Sequence, residues 1–280
     1  IVVPRDGETT LRVAALVRSP GVVEVAVRCD QTGFAVDHFR AVCRFDQYTG
    51  NDRAGDALPV SELPEALPLA PETDLYGLLL FHTGRFRKVS GYRRLQARQC
   101  IAEFADADER GWFQSYLPQQ LMLGDPAARD ATIHAIQACI PHATVLPIGV
   151  ERIDRHSSGS GRAKYVEAKE RARAGSEFSY DVRVFAADGM LLESWWGLKL
   201  RIVAAAQCDS WPAALLGPYL ERRMSEIIPG SSVAVSVQPR GRRDRQAASD
   251  AAMHEALGNH GRILRRGDGN QHLHHQSARY

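Results

Sequence analysis

The sequence carries little net charge and has no long apolar run. Its 35 Lys and Arg residues against 33 Asp and Glu residues leave a formal net charge of +2. This balance gives no support for a nucleic-acid partner or for attachment to a membrane surface. No apolar run approaches the ~20 residues that a transmembrane helix needs. The first residues, Ile1–Arg5, lack the basic start and apolar core of a signal peptide.

Cysteines are also few, and none forms a CxxC pair. The five of them are scattered along the chain, at Cys29, Cys43, Cys100, Cys139 and Cys208. Such a set favours reduced thiols in a cytoplasmic protein over a disulfide framework. The histidine-rich run at His272, His274 and His275 lacks the four ligands at defined spacing of a structural zinc site. We therefore expect no metal site and only adventitious metal binding there.

Alternating apolar and polar residues predict antiparallel strands in two regions. Residues 1–50 contain three such segments, at 11–17, 23–29 and 38–45. Later in the chain, residues 178–184 and 192–202 alternate on either side of Asp188-Gly189, a strong hairpin signal. We place Trp196 on the same face of the second of these strands as Leu198 and Leu200. Because Trp195 and Trp196 point to opposite faces, one of them should be buried and the other exposed.

A helix is predicted over residues 128–140. The turn Gly124-Asp125-Pro126 precedes it, and Pro141 ends it by disfavouring helical geometry in the residue before it. Asp130 and His134 stand four residues apart, so their side chains share one face of the helix. A carboxyl and an imidazole in this arrangement can form half of an acid–base site. The spacing alone equally fits a solvated or capping pair.

The remaining segments divide the chain further. Four prolines in residues 51–73 predict an extended linker, and residues 74–204 form the next unit, with a strand over 92–104. Residues 205–280 contain a predicted helix at 211–228, a strand at 233–237 and a basic run that is typical of a solvated linker.

Two motifs together resemble the dehydratase domain of polyketide synthases. The stretch Asp130-Ala131-Thr132-Ile133-His134, followed by Leu146-Pro147, is similar to that family's DAxxH helix and LP-containing strand. Residues 81–87 resemble its YGPxFQ segment, although histidine stands at 82 where many members have tyrosine. The match is to the dehydratase region of iterative enediyne polyketide synthases and covers about residues 1–204.

This resemblance implies an α+β double hotdog, in which each antiparallel sheet wraps around a long helix. The second hotdog, residues 74–204, is complete, whereas residues 1–50 supply only strands of a truncated first hotdog. In the family, an HxxxGxxxxP motif before those strands carries the catalytic histidine, and this sequence has no such motif. The chain starts in a strand-like stretch without methionine, so we expect a piece of a longer polypeptide with the general base upstream of Ile1.

The resemblance also implies an activity, a hydro-lyase that converts a β-hydroxyacyl thioester to the enoyl thioester. Asp130 is the expected acid, and His134 would orient it or hydrogen-bond the departing water. His82, Phe86, Leu146 and Pro147 are expected to line the substrate tunnel, and His82 has the alternative of capping a turn. Asp125 and His142 are expected to be a turn residue and a helix-end residue.

The partners and the alternatives follow from the same resemblance. No cofactor is expected, because an acyl carrier protein brings the substrate on its phosphopantetheine arm. The expected assembly is a homodimer with the other synthase domains, without nucleic acid or membrane. Residues from about 250 onwards resemble the start of a phosphopantetheinyl transferase-like domain. Two other functions stay open: a catalytically silent scaffold that docks the carrier protein, and a hotdog acyl-thioesterase.

Overall fold

The computed structural model describes two compact units, residues 1–53 and residues 54–280. The residues described are 1, 4, 6–45, 57–106, 111–113, 116–117, 121, 124–156, 161–206, 211–228, 230, 233–235, 237–238 and 278–279. The predictions for the basic run and for the transferase-like segment fall outside these residues. Among the described residues, no helix is long and apolar enough to cross a membrane.

The first unit is a three-stranded antiparallel sheet. Its strands are β1 (Leu11–Ser19), β2 (Val22–Cys29) and β3 (Phe39–Arg44), and they pair in the order β1-β2-β3. Both pairings are antiparallel, with Leu11 opposite Cys29 and Val22 opposite Arg44. The three strands predicted from alternation are confirmed.

The second unit contains a seven-stranded antiparallel sheet. Its strands are β4 (Val89–Leu95), β5 (Gln99–Phe104), β6 (Ala143–Gly149), β7 (Arg152–Arg155), β8 (Tyr165–Ala174), β9 (Glu177–Phe185) and β10 (Leu191–Ala205). They pair in the order β4-β5-β8-β9-β10-β6, and β7 pairs with another part of β10. A separate two-residue parallel pair joins β11 (Val237–Gln238) to β12 (Ala278–Arg279). The strand predicted over 233–237 is therefore wrong for Val233–Val235, which are not in a strand.

Among the described residues of this unit, three α-helices accompany the sheet: α1 (Pro71–Asp74), α2 (Pro126–His134) and α3 (Ala213–Ile227). Helix α2 begins where a carboxylate caps it, because Asp125 Oδ1 accepts from the Ala127 N–H at 3.0 Å. Ala127, Ala131 and Ala135 are fully buried, and such small side chains let the helix lie close to the core residues that cover it. This sheet with one central helix is the arrangement expected of a hotdog.

The predicted end of the central helix is wrong. The α-helix stops at His134, and a 3-10 helix, Ala135–Cys139, continues the chain. The Gln137 amide donates to the carbonyls of Ile140 (2.9 Å) and Ala143 (2.6 Å) and accepts from the Val145 N–H at 3.1 Å. These bonds satisfy backbone groups on both sides of Pro141 and fix the turn of the chain into β6.

Two strand predictions also need correction. The segment predicted as one strand over 92–104 is a hairpin, because the chain reverses between β4 and β5 and the Gln96 N–H donates to the Gln99 carbonyl at 2.9 Å. Trp196 was placed on the face of Leu198 and Leu200, which are buried, but it is 43% exposed, whereas Trp195 is 4% exposed. The register of β10 shifts between Trp195 and Leu198, where Gly197 has φ 60°. This bulge moves Trp196 outward, and the prediction that one tryptophan is buried is confirmed.

The hairpin predicted at Asp188-Gly189 is confirmed. The described part of the predicted linker, residues 57–73, packs against this hairpin and against β4. Leu58 N–H donates to the Gly189 carbonyl at 2.9 Å, and Leu67 N–H donates to the Tyr92 carbonyl at 2.8 Å. Leu58 and Leu69 are both buried in apolar clusters. Residues 57–73 are therefore packed on the second unit and are not a free spacer, because their leucines fill the core between the prolines.

Helix α3 is held to the sheet by a buried arginine. Arg222 Nη2 donates to Glu170 Oε2 at 2.6 Å and to the Tyr180 hydroxyl at 2.9 Å, while its Nε donates to the Cys139 carbonyl at 2.9 Å. The side chains of Arg222 and Glu170 are only 3% and 6% exposed. This ion pair connects α3, β8 and the end of the 3-10 helix.

Replacing this arginine should destabilise the fold. Arg222→Ala leaves the Glu170 carboxylate buried without its partner, which typically costs about 3–5 kcal/mol of unfolding free energy. The matched control is its neighbour Arg223, which is 54% exposed and pairs with Glu226; Arg223→Ala should cost less than about 1 kcal/mol. Urea unfolding followed by circular dichroism measures both. Equal losses for the two variants would show that the Arg222–Glu170 ion pair does not stabilise the fold.

Candidate active site

One cavity brings together the residues predicted for the site. It has a volume of about 480 Å³, and its lining includes His82, Phe86, Asp130, His134, Leu146 and Pro147. Most of the remaining lining is apolar, with Leu79, Leu80, Phe81, Ile133 and Leu200 among it. Binding sites for small molecules are commonly of this size, with a few polar groups on apolar walls. The roles assigned to the six residues stay predictions.

Asp130 lies between two imidazole rings. Its Oδ2 is 3.1 Å from His82 Nε2 and 3.5 Å from His134 Nδ1. His134 comes from the next turn of α2, so its position follows from helical spacing, whereas His82 comes from the loop before a short 3-10 helix, Gly84–Phe86. Because α2 begins at Pro126, Asp130 lies past the first turn, where the helix dipole has little effect.

Tyr76 holds the second histidine in place. Its hydroxyl accepts from the Val89 N–H at 2.9 Å and lies 3.1 Å from His134 Nε2. Burial raises the pKa of Tyr76 to about 12, so the hydroxyl stays protonated at neutral pH. This contact fixes the ring of His134 with Nδ1 towards Asp130. Sequence reasoning missed Tyr76, since its apolar surroundings signal burial and nothing more.

His82 lies between two aromatic rings. It stacks on Phe81 with centroids 4.5 Å apart, and its ring centroid is 4.1 Å from that of His134. Burial lowers the pKa of His82, and His134 lowers it further, while the Asp130 carboxylate acts in the opposite direction. The 3-10 helix that follows receives no side-chain cap. His82 therefore lines the cavity and does not cap this helix, and its place in a substrate tunnel stays a prediction.

The two nearby residues that were set aside lie elsewhere. Asp125 caps α2 and also accepts from Trp112 Nε1 at 3.1 Å. His142 lines a second cavity together with Trp211 and Tyr219. Gln137 was not predicted for the site, although it lines the first cavity and its amide holds the backbone there. A buried glutamine beside a proline stop is the signal that could have found it.

Comparisons with known proteins identify a family and a fold. A family profile described as "Polyketide synthase dehydratase N-terminal domain" matches residues 54–208. The chain is similar to the solved dehydratase domain of a mycocerosic acid synthase-like polyketide synthase, at 23% identity and a TM-score of 0.53, with 69% of each chain covered. It is also similar to the dehydratase domain from the CurF module of curacin polyketide synthase, at 17% identity and a TM-score of 0.53, with 72% of each chain covered.

A third similar structure is a pyran synthase domain. The pyran synthase domain from module nine of the sorangicin pathway has 16% identity and a TM-score of 0.51, with 69% of this chain and 71% of that chain covered. No curated protein matches the chain. At these identities the solved structures establish the fold alone, which is a hotdog-like α+β fold with a curled antiparallel sheet and few helices.

The role of Tyr76 in positioning His134 can be tested by measuring the free energy of unfolding. Tyr76→Phe removes the hydroxyl and leaves the buried Val89 N–H and His134 Nε2 without their partner, which should cost about 1–3 kcal/mol of unfolding free energy. Tyr116 is 81% exposed, and Tyr116→Phe should change it by no more than about 0.5 kcal/mol. Chemical unfolding measures both variants. A neutral Tyr76→Phe would show that the hydroxyl does not support the site.

Proposed function

The chain belongs to the family of polyketide synthase dehydratase domains, and on this premise we propose that it removes water from a β-hydroxyacyl thioester. One observation carries the proposal. The carboxyl of Asp130 lies in a largely apolar cavity, within 3.1 Å and 3.5 Å of two imidazole rings. Dehydration requires an acid for the departing β-hydroxyl and a base for the α-proton, each within hydrogen-bond reach of its atom.

In this proposal Asp130 is the acid. Its side chain is 35% exposed, so a hydroxyl group entering the cavity can reach it. His134 is a positioning residue, because its Nδ1 faces the carboxyl and its Nε2 is held by Tyr76. The proton leaves Asp130 for the β-hydroxyl as the carbon–oxygen bond breaks, and the departing group is water. The proton taken from the α-carbon balances the step.

The base for the α-proton has two candidate sources. The histidine expected upstream of residue 1 stays a prediction from the family resemblance. Within the described part of the second unit, His82 is the histidine that could replace it, because it lines the same cavity and contacts Asp130. Burial lowers the pKa of His82, which favours the neutral imidazole that accepts a proton. Substituting His82 decides between the two sources.

The substrate is proposed to be a thioester carried on the phosphopantetheine arm of an acyl carrier protein. The cavity wall formed by Phe86, Leu146 and Pro147 offers apolar surface to an acyl chain. Catalysis uses side chains without a dissociable cofactor, and the domain works in a homodimeric synthase beside other domains. We include in this proposal the enediyne-type assignment and the transferase-like tail, which rest on the sequence motifs alone.

The acid is tested by paired substitutions of two neighbouring aspartates. In the synthase polypeptide that contains this chain, Asp130→Asn should lower conversion of a carrier-bound β-hydroxyacyl thioester to the enoyl product by ~10²–10⁴-fold. Asp125→Asn should leave turnover nearly intact, because asparagine is an equally good helix cap. Mass spectrometry of the carrier-bound acyl group measures the conversion. Equal activity of Asp130→Asn and the parent would contradict the proposal.

Two further substitutions test the roles of the histidines, and the products distinguish the alternative functions. His134→Gln should reduce kcat less than Asp130→Asn does, since the proton donor remains. His82→Gln should abolish turnover if His82 is the base, and should leave most of it if the base is the expected upstream histidine. Release of a free acid and a free thiol would assign a thioesterase. Carrier-protein binding with no product of either kind would assign a silent scaffold.

A further inference from the structure

Three atoms in the cavity that are able to bind a metal converge on one point. They are His82 Nε2, a carboxylate oxygen of Asp130 and His134 Nδ1, and all lie within 4.8 Å of one another. Two imidazoles and a carboxylate, with a remaining position open to a cavity, are the ligand set of many zinc sites. The sequence shows no metal-ligand spacing, because these residues come from two segments that only the fold brings together.

The hydrogen bonding of His134 supports this reading independently. Its side chain is 5% exposed, and its Nδ1 is buried without a hydrogen-bond partner among the described residues. That unpartnered nitrogen faces Asp130, while Nε2 lies 3.1 Å from the Tyr76 hydroxyl. A metal-bound histidine commonly has its other ring nitrogen held in this way, since the outer contact fixes the ring and its tautomer.

The distances fit a tetrahedral ion. Ligand atoms about 2.0–2.1 Å from a tetrahedral zinc are separated by about 3.3 Å, and the two separations here are 3.1 Å and 3.5 Å. The ring centroids of His82 and His134 are 4.1 Å apart, so seating an ion requires a small outward rotation of His82. That residue lies on the loop before Gly84–Phe86, whereas the other two ligands share one helix.

We propose that His82, Asp130 and His134 bind one divalent transition-metal ion, best fitted by Zn²⁺, and that the bound ion blocks the proton donor. Metal ligands must be deprotonated, whereas the acid of the proposed dehydration must carry a proton. The proposed binding of the ion rests only on the geometry of these three side chains. The inhibitory effect rests on the proposed function, because the ion occupies the carboxylate oxygen that would give its proton to the departing hydroxyl.

The experiment measures Zn²⁺ affinity of the full chain by competition with a chromophoric chelator. The tail histidines His272, His274 and His275 are replaced by glutamine in every protein tested, because they could bind metal themselves. The parent should bind one Zn²⁺ at the site, and His82→Gln should lower its affinity by about tenfold or more. His142→Gln, from the other cavity, should leave it unchanged. Equal Zn²⁺ affinity in the parent and His82→Gln overturns the site.

Two more measurements test whether these residues are the metal ligands. His134→Gln should lower the affinity as His82→Gln does, and circular dichroism of each variant shows whether it is folded. Co²⁺ bound to the parent should give a visible absorption band that changes when either histidine is replaced, and an unchanged band overturns the assignment of ligands.

The inhibitory effect has its own assay. Zn²⁺ at a saturating concentration should stop dehydration by the synthase, and a chelator should restore it. Full turnover with the site saturated overturns the inhibition. If the synthase shows no dehydration even without metal, the proposed function fails, while the affinity measurements still decide whether the metal site exists.

Discussion

The burial of helix α2 against the core is the constraint on which the site depends. Ala127, Ala131 and Ala135 are fully buried on this segment, and their small side chains let it lie where a bulkier face would be excluded. The neighbouring face then presents Asp130 and His134 to the cavity. Because these two groups lie one turn apart on the same helix, the backbone fixes their relative position, and His82 on its loop is the adjustable ligand.

The environment of these three groups suits two kinds of chemistry. Apolar walls strengthen the charge interactions inside the cavity, and the Asp130 carboxyl is placed where a substrate hydroxyl can reach it. The same convergence of two imidazole nitrogens and a carboxylate oxygen favours a divalent cation. If both proposals hold, the two uses exclude each other at Asp130, and metal binding and dehydration are linked through one oxygen atom. Tyr76 supports both by holding His134 in a single orientation.

Sequence reasoning found the parts of the site that local spacing encodes. Asp130 and His134 follow from helical periodicity, and the hairpin at Asp188-Gly189 follows from turn chemistry. What it missed depends on contacts between distant segments. Tyr76 reaches His134 only through the fold, and the outward turn of Trp196 depends on a bulge at Gly197, where a Cβ atom would lie 2.4 Å from Glu151. The end of α2 was misjudged because the Gln137 side chain, and not Pro141 alone, redirects the backbone.

The role proposed for Asp130 is to give its proton to the β-hydroxyl of a thioester bound in this cavity. A crystal structure of the Asp130→Asn synthase with a bound 3-hydroxyacyl pantetheine tests it most directly, because that variant should not turn the ligand over. We expect the β-hydroxyl to lie within hydrogen-bond distance of residue 130 and the acyl chain to lie against Leu146 and Pro147. A ligand bound with its hydroxyl away from residue 130, or with its acyl chain outside the cavity, would contradict it.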